Sequence, residues 1–71
     1  MAEIIKVIEL VGSSEKSFSD AVKTAVSQAS QTIRGINAVD VLSTQATVAD
    51  GEISEYRATV KIAFPVERAD Q

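Results

Sequence analysis

Apolar and polar residues alternate almost without exception in EYRATVKIAF, residues 55–64. Alternation at every second position predicts a strand with one buried face, because successive side chains of a strand point to opposite sides of the sheet. The predicted core face carries Tyr56, Ala58, Val60, Ile62 and Phe64. The opposite face carries Glu55, Arg57, Thr59, Lys61 and Ala63. It places an arginine and a lysine among small residues, and its role has to be explained.

Two more strands are predicted from composition and turn residues. Residues 3–11 are rich in β-branched side chains and are followed by Gly12–Ser14, which predicts a first strand that ends in a loop. Asp50-Gly51 is a dipeptide typical of two-residue hairpin turns. It joins a second strand, predicted over residues 38–49, to a third strand over residues 52–66 that contains the alternating segment.

Between the first two strands the apolar residues recur every three or four positions, which predicts an amphipathic helix. Ser17 followed by Asp20 is a capping-box variant that places the helix start, and Gly35 is the expected stop. The predicted buried side is dominated by small residues, so the helix can lie close to a sheet. It comprises Phe18, Ala21, Val22, Ala25, Ala29, Thr32, Ile33 and Ile36.

The hairpin turn also predicts a strand register. If Asp50 and Gly51 form the loop, Ala49 pairs with Glu52, and an unbroken register follows from that pair. Val41 then lies opposite Val60, and Val39 opposite Ile62, on the core face. On the other face Asp40 lies opposite Lys61, which is a favourable cross-strand pair.

These elements predict a single domain, residues 1–71, of the α+β class. Its topology is β-α-β-β, with a three-stranded antiparallel sheet in the order 1-3-2 and one helix packed on one face. The uncovered face is either half-solvated sheet with ion pairs or a subunit interface, and a chain this short favours the interface. The residues predicted for that face are Ala38, Asp40, Leu42, Thr44, Ala46, Val48, Ile53, Glu55, Arg57, Thr59, Lys61 and Ala63.

Composition removes several classes of site. The chain has no cysteine and no histidine, which excludes disulfides, thiolate or histidine zinc sites and a histidine general base. Oligomerisation is the remaining way to stabilise a domain of 71 residues. The formal net charge of −3 offers no basic footprint for nucleic acid, and no segment is long and apolar enough to cross a membrane. We expect a cytoplasmic homo-oligomer and, because no catalytic constellation is present, no enzyme.

The chain resembles the dodecin family. VIELVGSSEKSF, residues 7–18, is similar to that family's first strand and its turn into the helix, and EYRATVKIAFPVE, residues 55–67, is similar to its last strand. The resemblance implies a hollow homododecamer that stores or buffers flavins in stacked pairs at subunit interfaces and protects them from photochemistry.

The resemblance also implies a flavin site with two characteristic side chains. A tryptophan early in strand two stacks on the isoalloxazine ring, and that position here is Ala38; a glutamine after an aromatic residue binds the polar edge, and that position is Arg57. Tyr56, Val39 and Asp40 neighbour the two positions, with Tyr56 predicted to be a core residue. Stacking is worth about 0.5–1.5 kcal/mol beyond area burial, and arginine only donates hydrogen bonds, so we expect weak or lost binding of riboflavin and FMN.

Three alternatives stay open. The first is a flavin store with an altered site, and the second is calcium binding, because a calcium-binding branch of the family also lacks the tryptophan and carries an arginine after the tyrosine. Oxygen ligands for calcium are available on composition alone from Asp40, Asp50, Glu52 and Glu55. The third concerns Arg57, which either pairs with a carboxylate, including one from another subunit, or contacts an anionic ligand. Coenzyme A binding is not supported, because the family's arginine positions are here Gln45 and Pro65.

Overall fold

The computed structural model describes residues 3–66 and confirms the predicted order of elements. The three strands form one antiparallel sheet in the order β1-β3-β2, so the alternating segment is the central strand. One helix packs on one face of this sheet, which makes the fold α+β with β-α-β-β topology. The elements are β1 (Ile5–Ser14), α1 (Phe18–Ala29), β2 (Ala38–Ala49) and β3 (Glu52–Pro65).

The core lies where α1 crosses β1 and β3. Ala58, Val60 and Ile62 are fully buried beneath the helix, which confirms the core face predicted from alternation. Ala21 and Ala25 are the buried residues of α1, and their small side chains let the helix approach the sheet closely. Around this centre pack the half-buried Ile8, Leu10, Val22, Val26, Ala29, Ile33 and Ile36.

Gly12 does not end the first strand, and the loop predicted for Gly12–Ser14 was wrong. β1 continues to Ser14, and Gly12 pairs with Ala58 directly beneath the helix. A methyl group at Gly12 would overlap the Ala21 carbonyl oxygen and come within 2.9 Å of the Ala25 Cβ. Glycine is therefore required here because α1 lies close against the strand. The same residue type is also a common loop signal, which explains the wrong prediction.

The helix begins as predicted but ends before Gly35. The Ser17 hydroxyl accepts a hydrogen bond of 3.0 Å from the Asp20 backbone N–H, and the Asp20 carboxylate accepts one of 2.6 Å from the Ser14 hydroxyl. At the other end the last turn tightens, because the N–H groups of Gln31 and Thr32 donate to carbonyls only three residues back, each at 3.2 Å.

The apolar residues that were predicted for the helix continue beyond its end. Ile33 and Ile36 still pack against the core, although they lie in the connection and not in α1. Gly35 adopts a φ of +74°, which turns the chain toward β2 in a conformation that favours glycine. Phe18, at the first turn, is 38% exposed and meets Tyr56 edge-on, with ring centroids 4.9 Å apart.

The hairpin forms at Asp50 and Gly51, both with positive φ (54° and 78°), as a type I′ turn requires. The predicted pairs are confirmed at both ends of the hairpin: Ala49 with Glu52 near the turn, and Val41–Val60, Asp40–Lys61 and Val39–Ile62 far from it. The unbroken register between them was wrong, because it shifts between Val41 and Ser43 and again between Thr47 and Val48.

The two shifts cancel, so the ends of the hairpin agree with the prediction while its middle is displaced by one residue. Thr44 pairs with Ala58 and Ala46 with Tyr56, which places both on the helix side and not on the opposite face, where they were predicted. At the second bulge the hydroxyls of Thr47 and Ser54 lie 2.7 Å apart and form a hydrogen bond across the strands.

The helix covers only part of the sheet. It packs against β1 and β3 and hardly touches β2. Val39 and Val41 therefore lie on the helix side yet remain 41% and 48% exposed. In the described part of the chain, residues 3–66, α1 is far too short and too polar for a membrane-crossing helix.

Candidate functional site

The two positions that the resemblance assigns to ligand binding lie on the open face, the side of the sheet opposite α1. This face is built from every second residue of each strand, and the antiparallel pairing aligns these residues in rows. From the start of β1 the rows are Val7–Ala63–Ala38, Glu9–Lys61–Asp40, Val11–Thr59–Ser43 and Ser13–Arg57–Gln45. An apolar row thus lies at one end, with charged and polar rows beyond it.

Arg57 is tied to a carboxylate of its own strand. Its Nε donates to Glu55 Oε1 at 3.2 Å, and the two side chains are 45% and 35% exposed. Residues two apart in a strand share a face, so the pair follows from β3 itself. Ser13 and Gln45 flank Arg57 on the neighbouring strands. The guanidinium is therefore part of a polar row and already has one anionic partner.

Ala38 lies at the opposite end of the face. It pairs with Ala63, whose other neighbour is Val7, so the floor around it is small and apolar. An open pocket of about 510 Å³ lies over this end of the sheet. Its lining is Val7, Ala38, Val39, Asp40, Lys61, Ile62 and Ala63. The side chains that could contact a ligand here are methyl and isopropyl groups, with the Asp40 carboxylate and the Lys61 ammonium at one side.

One subunit does not bring Ala38 and Arg57 together. Ala38 is paired with Ala63, six residues along β3 from Arg57. At about 3.3 Å per residue this separates the two positions by about 20 Å. A single small molecule that touched both types of position would therefore have to bridge two copies of the chain.

The three predicted neighbours divide between the two faces. Tyr56 is half-buried on the helix side against Phe18, as its predicted core role requires. Val39 also points to the helix side, since it pairs with the buried Ile62. Asp40 shares the open face with Ala38 and Arg57 and lies opposite Lys61 in the register. Within residues 3–66 the only ion pair closer than 4.0 Å is Arg57–Glu55, so Asp40 and Lys61 are cross-strand neighbours that form no ion pair at this distance.

The candidate calcium ligands do not converge within one subunit. In the described portion of the chain, no group of three or more acidic side chains is close enough to hold a metal ion. Asp50 lies in the hairpin turn and Glu52 beside it, whereas Asp40 lies near the far end of β2. Only Glu55 has a partner that fixes its position, and that partner is the cation Arg57.

Sequence reasoning did not identify the partner of Arg57, which the structure shows to be Glu55. The sequence carried a local signal for it, since opposite charges two residues apart in a predicted strand lie on the same face. The sequence left open that Arg57 pairs with a carboxylate, but Glu55 was named only as a candidate oxygen ligand and as a residue of the same face.

Comparison with known proteins places the chain among proteins of the same length and shape. A family-wide sequence model described as Dodecin matches residues 4–67. A dodecin from Thermus thermophilus is 28% identical over 67 residues, which cover 94% of this chain and 97% of the relative. The structure of dodecin from Streptomyces coelicolor has a TM-score of 0.91 and 30% identity, with 94% of this chain and 96% of that chain covered.

A third similar protein is described by the calcium that it binds. It is a calcium-chelating immunodominant antigen from Mycobacterium tuberculosis, described as a calcium dodecin with a novel calcium-binding site. The match has a TM-score of 0.81 and 27% identity and covers 93% of this chain and 94% of that one. At least one protein of this fold is thus described as a calcium binder.

Proposed function

Because the chain belongs to the dodecin family of small flavin-binding proteins, we propose that it is a non-enzymatic storage or small-molecule-binding protein that forms a hollow homododecamer and in which flavin binding is weak or lost. The family supports the storage role. The departure from flavin binding is supported by the two side chains of this chain that occupy the family's ligand positions.

The Arg57–Glu55 ion pair is the observation that carries this proposal. A glutamine amide both donates and accepts hydrogen bonds, whereas a guanidinium only donates. Arg57 is also held by Glu55 at 3.2 Å, so a ligand that used it would compete with an existing charge-assisted bond. The polar edge of a flavin, which presents donors and acceptors together, is poorly matched to this pair.

The Ala38 end of the face lacks a stacking platform as well. Ala38, Ala63 and Val7 present a floor without an aromatic ring. Loss of an aromatic stack removes about 0.5–1.5 kcal/mol beyond the buried area, and the area of the ring itself is lost in addition. Both ends of the site thus weaken flavin binding independently.

The test is a titration of riboflavin and FMN, followed by quenching of flavin fluorescence. The wild type is compared with the Ala38→Trp/Arg57→Gln double variant and with each single variant. We expect the double variant to bind at least about tenfold more tightly than the wild type, since 1.4 kcal/mol corresponds to a factor of ten. If the wild type binds riboflavin as tightly as the double variant, the chain is a flavin store with an altered site and the proposal fails.

Calcium binding is the second candidate, favoured by the similarity to the calcium dodecin of Mycobacterium tuberculosis. Since three acidic side chains do not converge within residues 3–66 of one subunit, a site would need ligands from several subunits. Isothermal titration of the assembled protein with calcium chloride tests this candidate, and heat that saturates below millimolar calcium would support it. A titration without heat at millimolar calcium would remove it.

A further inference from the structure

The end of the hairpin between β2 and β3 has little packed against it. We call residues 47–55 the hairpin arm, which extends past the end of β1, and α1 hardly touches β2. Val48 and Ile53 pair across the arm and are 66% and 54% exposed. The arm is therefore held by its own strand pairing, by its turn, and by the hydrogen bond between the hydroxyls of Thr47 and Ser54 at its base. A segment held in this way opens at a lower free energy than the core.

The turn of the arm contains the one aspartate–glycine pair of the chain, Asp50-Gly51. Asp50 is exposed, and its carboxylate makes no hydrogen bond or ion pair within residues 3–66. The space around Gly51 is open, since an added Cβ would meet no atom within 4 Å. The turn bond joins residues 49 and 52, so the turn does not use the Gly51 N–H. A carboxyl carbon and an unhindered backbone nitrogen are thus neighbours in the chain, and no other contact holds either of them.

We propose that Asp50-Gly51 is a site of spontaneous isomerisation of aspartate to isoaspartate, and that opening of the hairpin arm controls its rate. The Gly51 nitrogen forms a bond to the Asp50 Cγ, and one carboxyl oxygen leaves as water with the hydrogens of the nitrogen and of the carboxyl group. Water then opens the five-membered ring. Addition at Cγ regenerates aspartate, whereas addition at the backbone carbonyl carbon leaves a chain that runs through Cβ. Water is the only co-reactant, and the final mass is unchanged.

The intact turn opposes closure of this ring. Asp50 and Gly51 have φ of 54° and 78°, the conformation of a type I′ turn. At the first central residue of such a turn ψ is about +30°, the mirror image of type I. In an L-residue this ψ places the next nitrogen on the side of the Cα–C bond away from Cβ, whereas the ring needs both on the same side. The ring therefore forms only after the turn has opened, and the rate follows the fraction of molecules in which the arm is open.

The product does not rebuild the turn. Isoaspartate adds a methylene to the backbone and removes the α-carboxylate from it, so the connection from Ala49 to Glu52 is no longer the two-residue loop that the register requires. The disturbance is expected to stop at the register shift between Thr47 and Val48, because beyond it β3 is also paired with β1. The modification thus opens the arm and leaves the core folded.

The test follows isoaspartate in the purified native protein during long incubation at neutral pH. Peptide mass spectrometry with electron-based fragmentation locates isoaspartate in the chain. Asp20 and Asp40 are internal controls, because alanine and valine follow them. We expect isoaspartate at residue 50 and not at the two controls. Its formation should be at least about tenfold slower than in the same chain unfolded in guanidinium chloride, since the native arm must first open.

Two variants test whether the arm controls the rate. Ser54→Ala removes the hydroxyl bonded to Thr47 and should accelerate the native reaction about two- to tenfold, as loss of one hydrogen bond predicts. Ser43→Ala, the same substitution at an exposed position of the hairpin outside the arm, should not change the rate. Neither variant should change the rate in guanidinium chloride. Absence of isoaspartate at residue 50 of the native protein, equal native and unfolded rates, or equal effects of the two variants would each overturn the proposal.

Discussion

The strand β3 passes through two environments, although apolar and polar residues alternate along most of its length. In its middle, Val60 and Ile62 are fully buried beneath α1. Near its start lies a hairpin arm, residues 47–55, that extends past the end of β1, where Ile53 is 54% exposed. α1 lies above the middle of the strand and not above the hairpin arm, and the bulge at Ser54 separates the two parts. Alternation therefore identifies the face that can be buried, and the helix determines where burial occurs.

The largest expected effect compares isoleucines at these two places in β3. Ile62→Ala should lower the free energy of unfolding by about 2–5 kcal/mol, because it leaves a cavity in a small, closely packed core. Ile53→Ala removes the same atoms from an exposed site and should cost less than about 1 kcal/mol. Urea unfolding followed by circular dichroism at one protein concentration measures both. Equal losses would show that the hairpin arm is buried in the assembled protein.

The next effect concerns the contact between Gly12 and α1. Gly12→Ala should lower the free energy of unfolding by about 1–3 kcal/mol, since the added methyl overlaps the Ala21 carbonyl and the helix must move away. Ser13→Ala, at the next residue of β1, removes only an exposed hydroxyl and serves as the control in the same urea measurement. A stable Gly12→Ala protein would mean that α1 lies farther from β1 than the structure places it.

The features predicted correctly are those that local chemistry determines. Asp50-Gly51 forms its turn because both residues tolerate positive φ, and the pairs next to the turn follow from it. Ser17 caps the helix because its hydroxyl lies three residues before an unpaired N–H. The positions of Ala38 and Arg57 on one face likewise follow from strand periodicity.

The features predicted wrongly depend on contacts between distant segments. Glycine is a residue type typical of loops, but the role of Gly12 is determined by its contact with Ala21 of α1, nine residues later. The two bulges could not be recognised from the sequence. The second register shift cancels the first, so the pairs on which the prediction relied, at the two ends of the hairpin, are the same with or without them. The separation of Ala38 from Arg57 likewise needed the register of the whole sheet.

A smaller effect is expected at the start of α1. Ser17→Ala should lower the free energy of unfolding by about 1 kcal/mol, because the Asp20 N–H loses its acceptor. Ser17→Asp supplies another acceptor and should restore most of the loss. Because α1 covers the buried residues of β3, the same urea curves show whether fraying at the start of the helix destabilises the whole domain. If alanine and aspartate behave alike, the cap does not limit stability.

The smallest expected effect is at the Arg57–Glu55 pair, and it is also the most informative about the open face. A double-mutant cycle of Glu55→Gln and Arg57→Gln should give a coupling of about 0.2–1 kcal/mol, because both side chains are partly exposed and screened by solvent. The coupling should fall further as salt is raised from 0.05 M to 0.5 M. A coupling well above this range that is insensitive to salt would mean that the assembled protein excludes water from the pair. The open face would then be a closed interface around Arg57, and a ligand could reach this arginine only by displacing both Glu55 and a neighbouring subunit.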